Sequence, residues 1–516
     1  MRIATFLLTV SLAACSTAAQ RPAVRETAVE RRTDAPAAQL PVAAPISAEE
    51  YAGRRQTLLD SVGDGVLVVF GAPAPAADYL PFTQLADFRY LTGIMEPSAA
   101  YVAVKDGARV REHLFVLERD PAREVWEGAR LGPEGAEART GLSAQSAVRF
   151  GAVLDSLTRV AGVVHTTIAP PLERALTTHH THAQQVLARL RDGQPKLTIN
   201  PVQRLIRNQR AVKSAAELDR IRRAVHISAL AHREAMRSTQ PGMNEFEIRA
   251  LLEYVFRRNG AEGPAYGSIV GAGPNSTTLH YQASDRFMEA GEVLLIDAAA
   301  SYGGYAADVT RTFPVDGTFT ADQRAIYEIV LAAQKAAADR IRRGATWADL
   351  NDAANAEIAS GLARIGLIDG PEATYEPVAG QTASQVRLFY MHGLGHGVGL
   401  AVHDPDISQT HGWFAPGSAV TIEPGVYVRA DAFDYLPDTP GNRAMIQRLR
   451  PALLRYRNIG VRIEDVFIFD ERGVERVSAA APREIDEIEA LMREGGLGDV
   501  ARRGDIIEWF RGTRGR

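Results

Sequence analysis

The chain is predicted to be an α+β protein, with a smaller mixed α/β domain ahead of a larger α+β domain built around an antiparallel sheet. Three observations predict it. With 516 residues, 46% hydrophobic and 23% charged, the chain can bury two sizeable cores. In the first half, short apolar runs alternate with helical patterns. In the second half, apolar strands arrive as neighbours joined by a hairpin signal, while the helices are grouped in sequence. The formal net charge of −4 is small for this length, so nucleic acid and anionic membrane surfaces are not expected partners.

Met1-Arg2, an apolar run over 3–12 and the small residues before Cys15 give residues 1–15 the pattern of a bacterial lipoprotein signal, too short to span a bilayer. The mature chain is therefore expected outside the cytoplasm, periplasmic or tethered to the outer membrane by lipid on Cys15, which Ser16 follows. The other reading is an uncleaved N-terminus that happens to hold a cysteine. Cys15 is the single cysteine, which excludes an intramolecular disulfide and a Cys-based metal site. Residues 16–46, rich in Ala, Pro, Thr and Arg, read as a flexible tether.

A first domain is expected over 47–200. It opens with a helix through Leu59 and a buried strand at 65–71, with further strands at 99–104 and 113–117 and helices around 144–160 and 183–191. A second is expected over 201–480. Its helices fall at 214–238, 321–343 and 347–365, and its strands at 293–299, 305–315, 419–423 and 461–469. A C-terminal helix and tail complete the chain over 481–516.

Chemistry concentrates in four segments of the second domain. Asp297 lies in an apolar strand, where a carboxylate is costly unless paired. Asp308 lies on the partner strand beyond Tyr302-Gly303-Gly304. A hairpin pivoting about Tyr302 and Gly303 sets the two directly opposite, and one pivoting about Gly303 and Gly304 makes them diagonal neighbours on one face. Either way they repel, and need a cation, a shared proton or an arginine. The run His392-Gly393-Leu394-Gly395-His396-Gly397-Val398-Gly399-Leu400-Ala401-Val402-His403-Asp404 has too much glycine for a helix and holds three histidines suited to metal ligation or proton transfer. Glu423 ends an apolar strand at Pro424-Gly425, and Arg462 and Glu464 alternate onto one face of another. Taken singly, each carboxylate could end in an ordinary ion pair. Together they form a hard, oxygen-rich set suited to Mn²⁺, with Co²⁺, Zn²⁺ or Fe²⁺ as alternatives. Four carboxylates balance two divalent ions, which can share a water, lower its pKa and clamp the intermediate of amide hydrolysis.

The order Asp297, Asp308, His396, Glu423, Glu464, the last in Arg462-Ile463-Glu464-Asp465, resembles the pita-bread metallopeptidase family of methionine aminopeptidase, prolidase, creatinase and aminopeptidase P. The resemblance to aminopeptidase P runs over about 51–494 and includes Phe82-Thr83-Gln84-Leu85-Ala86-Asp87-Phe88-Arg89-Tyr90-Leu91-Thr92-Gly93 and Glu124-Val125-Trp126-Glu127-Gly128 in the first domain. It implies release of the N-terminal residue from peptides with proline second, by attack of a metal-bridging hydroxide. It also implies that Asp297, Asp308 and Glu464 bind one metal, and that Asp308, His396, Glu423 and Glu464 bind the other. Glu423 would handle the proton; His280 and His403 would contact the substrate; His392 would lie near the proline. Arg462 and Tyr427 would stand behind them, and Trp126 would help close the site, from its own or a neighbouring subunit in a dimer or tetramer. Ala401, Pro405, Asp406 and Thr83 depart from the family pattern, and none is an implied ligand. A dipeptide-cleaving prolidase shares the same metal set, and a non-catalytic binding protein shares the fold.

Overall fold

Alternate residues of the strand Gly65–Phe70 face opposite ways, and both faces are buried. Val66, Val68 and Phe70 join a cluster with Phe115, Leu154 and Leu187, whereas Leu67 and Val69 join Leu58, Leu59 and Phe88. The strand therefore reads as one continuous apolar run. The computed structural model describes residues 43–77, 79–168 and 181–497; the expected signal with Cys15, the tether as far as 42 and the tail from 498 lie outside the described residues. The described residues all fall in one compact unit. The end of the expected tether is held in place: Arg220 Nη2 donates to the Ala44 carbonyl at 2.6 Å, and Ile46 packs on the core.

Gly65–Phe70 lies inside a six-stranded sheet ordered Ser143–Ser146, Arg109–Val116, Ala100–Asp106, Gly65–Phe70, Val163–Thr166, Thr198–Pro201. The central three run antiparallel and the outer ones parallel, confirming a mixed α/β arrangement. The helix expected from 144 needs correction. Ser143–Ser146 is a polar edge strand pairing with Arg109–Val116, and the helix begins at Phe150. Tertiary pairing overrides the local helical pattern there.

Beyond residue 201 the helices Ala215–Ser238, Glu245–Arg258, Ala321–Ala338 and Trp347–Arg364 each open with a capping box, from Ser214, Asn244, Thr320 and Thr346. They enclose the strands that carry the acidic residues. Val293–Asp297 pairs antiparallel with Thr310–Pro314, with Asp297 opposite Thr310. Nearer the turn, Tyr302 pairs with Tyr305, and Gly303 and Gly304 both have positive φ, at 58° and 79°. This two-residue turn realises the second of the two pivots, so Asp308 is offset from Asp297 by two positions. A second double hairpin repeats the plan. Ser418–Ile422 pairs with Asp465–Asp470, and Gly425–Val428 with Ile459–Arg462.

The strand expected over 461–469 is thus two strands, interrupted at Ile463-Glu464 opposite an interruption at Glu423-Pro424. Asp308 falls in the corresponding gap of the first hairpin, and Asp297 is the last residue of its strand. Such breaks free side chains from the ladder and re-aim them. A bridge between Thr310 and Glu464 joins the two hairpins at this level.

Two buried charge networks brace the frame. Arg311, fully buried, donates to Asp465 at 2.6 Å and to the carbonyls of Glu464, Thr310, Ala481 and Pro482. Asp465 also accepts from Ser478, Gln334 and Arg483. In the other network Arg210 pairs with Asp87 at 2.6 Å and with Asp404, whose second oxygen is 3.1 Å from Lys213 Nζ. This ties the helix Ala86–Thr92 to the loop that carries His403.

Candidate metal centre

The strand interruptions bring four carboxylates and a histidine to one point. Ligand atoms of Asp297, Asp308 and Glu464 lie within 4.8 Å of one another, as do those of His396, Glu423 and Glu464. Asp308, His396 and His403 form a third such group, so His403 is also within ligand reach. Glu464 is fixed by Thr310, whose Oγ1 donates to Oε2 at 2.7 Å and whose carbonyl accepts the Glu464 N–H.

His396 sits on a backbone that tolerates only glycine beside it, because a Cβ on Gly395 would collide with the Thr421 carbonyl. Its Nδ1 is 3.0 Å from the Gly397 carbonyl, and its Nε2 is 3.4 Å from both Asp308 Oδ2 and Glu423 Oε1. A backbone carbonyl on Nδ1 leaves Nε2 aimed at the carboxylates, the arrangement of a ligating imidazole. Burial pushes His396 down, but the bond and charge of Asp308, with Glu423 behind them, push it up to about 9. Burial raises Glu423 to about 7 against the pull of His396 and Arg462, and raises Asp308 as well. Burial and the charges of Asp308, Glu423 and Asp297 hold Glu464 well above the carboxylate range. The set carries more negative charge than its protein partners offset, and its oxygen-and-imidazole chemistry fits divalent metal ions.

Arg462 is the arginine that the paired aspartates call for. Its Nη2 is 2.6 Å from Asp297 Oδ2, its Nη1 donates to Tyr427 Oη at 2.9 Å, and its Nε donates to Thr310 Oγ1. Tyr427 Oη is in turn 2.8 Å from His392 Nε2, and His392 Nδ1 is 2.7 Å from the Gly393 carbonyl. With Arg462 donating, the phenol donates onward and the imidazole proton sits on Nδ1. Burial and the Arg462 charge bring His392 down to about 4, so this ring is neutral, with Nδ1 at 3.9 Å from Glu423 Oε2.

Tyr266 was not legible as a site residue. Its Oη lies 2.5 Å from both Asp297 Oδ1 and Asp308 Oδ1, bridging the two aspartates. A lone tyrosine after Gly263-Pro264-Ala265 carries no periodic or motif signal. Tyr266→Phe is expected to weaken metal retention by about 10–100-fold without unfolding the protein, read as the chelator concentration that halves activity. An unchanged midpoint would mean that the bridge is incidental.

His280 and His403 are exposed, and His280 acts electrostatically on both His392 and His403. The His396 and His403 ring centroids are 4.0 Å apart. Trp126, on the helix Pro121–Glu127, is 76% exposed, and no ring contact, hydrogen bond or ion pair among the described residues joins it to this cluster. Of the departures from the family pattern, Asp406 caps the short helix Ile407–His411 by accepting from the Ser408 and Gln409 amides.

Fold and acidic cluster together define a metallopeptidase, and residues 219–471 match metallopeptidase family M24, while 51–165 match the aminopeptidase P N-terminal domain. The chain is 34% identical over 459 residues to the Xaa-Pro aminopeptidase of Escherichia coli K12, covering 87% of this chain and 98% of that one. It is 30% identical over 464 residues to human Xaa-Pro aminopeptidase 3, covering 86% of each. Among solved structures, E. coli aminopeptidase P with the inhibitor Pro-Leu superposes with a TM-score of 0.73 at 32% identity, covering 87% of this chain and 99% of that one. Proline aminopeptidase P II of Yersinia pestis gives 0.73 at 33% identity, over 87% and 100% of the two chains. The chain belongs to metallopeptidase family M24, in its aminopeptidase P branch, with a pita-bread catalytic domain behind the aminopeptidase P N-terminal domain.

Proposed function

We propose that the chain is a metal-dependent Xaa-Pro aminopeptidase, a hydrolase that removes the N-terminal residue from peptides whose second residue is proline. The observation that carries this reading is the convergence of Asp297, Asp308, His396, Glu423 and Glu464 in a chain similar to Xaa-Pro aminopeptidases along nearly their whole length. Asp297, Asp308 and Glu464 would hold one divalent ion and Asp308, His396, Glu423 and Glu464 a second, Mn²⁺ before Co²⁺, Zn²⁺ or Fe²⁺. When bound, such ions supply Lewis acidity toward the scissile carbonyl and acidify the attacking water.

The protein's own groups do the rest. Glu423 accepts the water proton and returns it to the departing proline nitrogen, with Oε2 on the His392 side of the carboxylate. His392, neutral and locked between Tyr427 and the Gly393 carbonyl, offers the proline ring a fixed flat wall. Arg462 holds Asp297 in place. His280 and His403, at the exposed side, donate to the substrate carbonyl. Trp126 would act across a subunit boundary in a homo-oligomer, since its exposure leaves it free to meet a second copy.

Hydrolysis of Ala-Pro-Ala and of Ala-Pro, with Mn²⁺ and after chelation, tests the reading. Metal-dependent release of alanine from the tripeptide is expected; cleavage of the dipeptide alone would make the chain a prolidase, a reading that its similarity to named aminopeptidases does not favour. Silence on both peptides would leave a binding protein. The basic, apolar and small-residue pattern before Cys15 supports export as a lipid-anchored periplasmic or outer-membrane protein. Cys15→Ser should then release the protein from the membrane fraction, and unchanged fractionation would reject the anchor. The division at about 200 into N-terminal and catalytic domains is proposed on the same footing, supported by the separate sheets on its two sides.

A further inference from the structure

Away from the acidic cluster, a cavity of about 300 Å³ opens between the helices Ala48–Ser61, Ala86–Thr92 and Gly132–Thr140 and the Gly303-Gly304 turn. Among the described residues four arginines, Arg55, Arg89, Arg139 and Arg220, line it, and no aspartate or glutamate does. The carboxylates near it are already engaged. Glu112 pairs with Arg55 at 2.7 Å, and Glu50 and Glu217 pair with Arg54. Glu262 accepts from the Gly304 amide and the Ser301 hydroxyl, and among the described residues it pairs with no arginine.

Among the described residues, three of the four guanidinium groups have no acidic partner. Arg220 is 7% exposed, and its two terminal nitrogens donate to the backbone carbonyls of Ala216 and Ala44. Neither the Arg89 nor the Arg139 side chain makes a hydrogen bond or ion pair with a described residue. The turn brings two of them close: a Cβ on Gly304 would collide with the Arg89 guanidinium, and one on Gly303 would lie 3.1 Å from Arg220 Nε. The charges of Arg89, Arg220 and Arg139 all act on the phenol of Tyr51, a further hydroxyl lining the same space.

Like charges gathered around a small concavity repel one another unless an anion joins them. Guanidinium forks match tetrahedral oxyanions in geometry and bind them through charge-assisted hydrogen bonds. We propose that this cavity is a binding site for a small dissolved oxyanion of the phosphate class, separate from the metal centre. Its enclosure on several sides suits a dissolved ion rather than a flat lipid surface. The Gly303-Gly304 turn is the tip of the hairpin that bears Asp297 and Asp308, so an ion there would stiffen the end of the element that carries both aspartates.

The test is calorimetric titration of the full-length, Mn²⁺-loaded protein with inorganic phosphate, against a chloride control at matched ionic strength. Saturable binding is expected, weakened about tenfold or more in Arg89→Gln and in the solvent-exposed Arg139→Gln, with Ala-Pro-Ala hydrolysis unchanged in both. Binding that survives intact in both variants and disappears on chelation would assign the ion to the metal centre and overturn the proposal. So would the absence of saturable binding beyond the chloride control.

Discussion

Glu423→Gln is expected to lower kcat on Ala-Pro-Ala by about 10³-fold in saturating Mn²⁺, with the melting temperature close to that of the unaltered protein. Glutamine keeps the volume, and the backbone bond from residue 423 to the Leu394 carbonyl at 2.8 Å is untouched. What is lost is a negative charge facing His396 at 3.4 Å, on a carboxylate placed both in the cluster and toward His392. A steady-state assay at several metal concentrations separates weak loading from lost proton transfer, because the first is overcome by more metal and the second is not. A kcat within tenfold of the unaltered enzyme would remove Glu423 from the chemistry.

The second large effect is on stability. Arg311→Ala should cost about 3–5 kcal/mol, measured by chemical denaturation, because it breaks a fully buried ion pair and leaves several carbonyls short of their donor. Arg483 and Arg476 still reach Asp465, at 2.8 and 3.3 Å, which places the expected loss toward the lower end. Since Arg311 Nη1 also holds the Glu464 carbonyl at 2.6 Å, metal retention should fall together with stability. A loss under 1 kcal/mol would show that the neighbouring arginines take over its role.

The acidic residues were legible in the sequence because each contradicts its surroundings. Asp297, Glu423 and Glu464 interrupt runs that otherwise want burial, and a carboxylate there demands a partner. The interruptions that aim them were not legible. Arg462 to Asp465 alternates as an unbroken strand would, and the break arises only when Ile463-Glu464 meets Glu423-Pro424 across the hairpin pair. The diagonal offset of Asp297 and Asp308 hung on which glycine pair turns, which local sequence leaves open. Tyr266 gave no sign because its role depends on two aspartates 31 and 42 residues away. In the first sheet, Ser143–Ser146 is a strand solely because Arg109–Val116 offers it an edge. The helix Pro440–Tyr456 was missed as well; its buried Met445, Leu449 and Leu453 follow helical spacing in a stretch rich in arginine.

The link from Asp87 through Arg210 to Asp404 bears on where harmful substitutions in this protein will fall. Asp87 lies more than two hundred residues before the first metal-cluster carboxylate, yet it shares an arginine with the residue that directly follows His403. An inherited or selected change at Asp87 would leave Arg210 with a single acidic partner and slacken the loop behind it. Activity-lowering alleles should therefore cluster at both ends of this chain of contacts, and a survey of variants confined to the metal-bearing half would miss part of them.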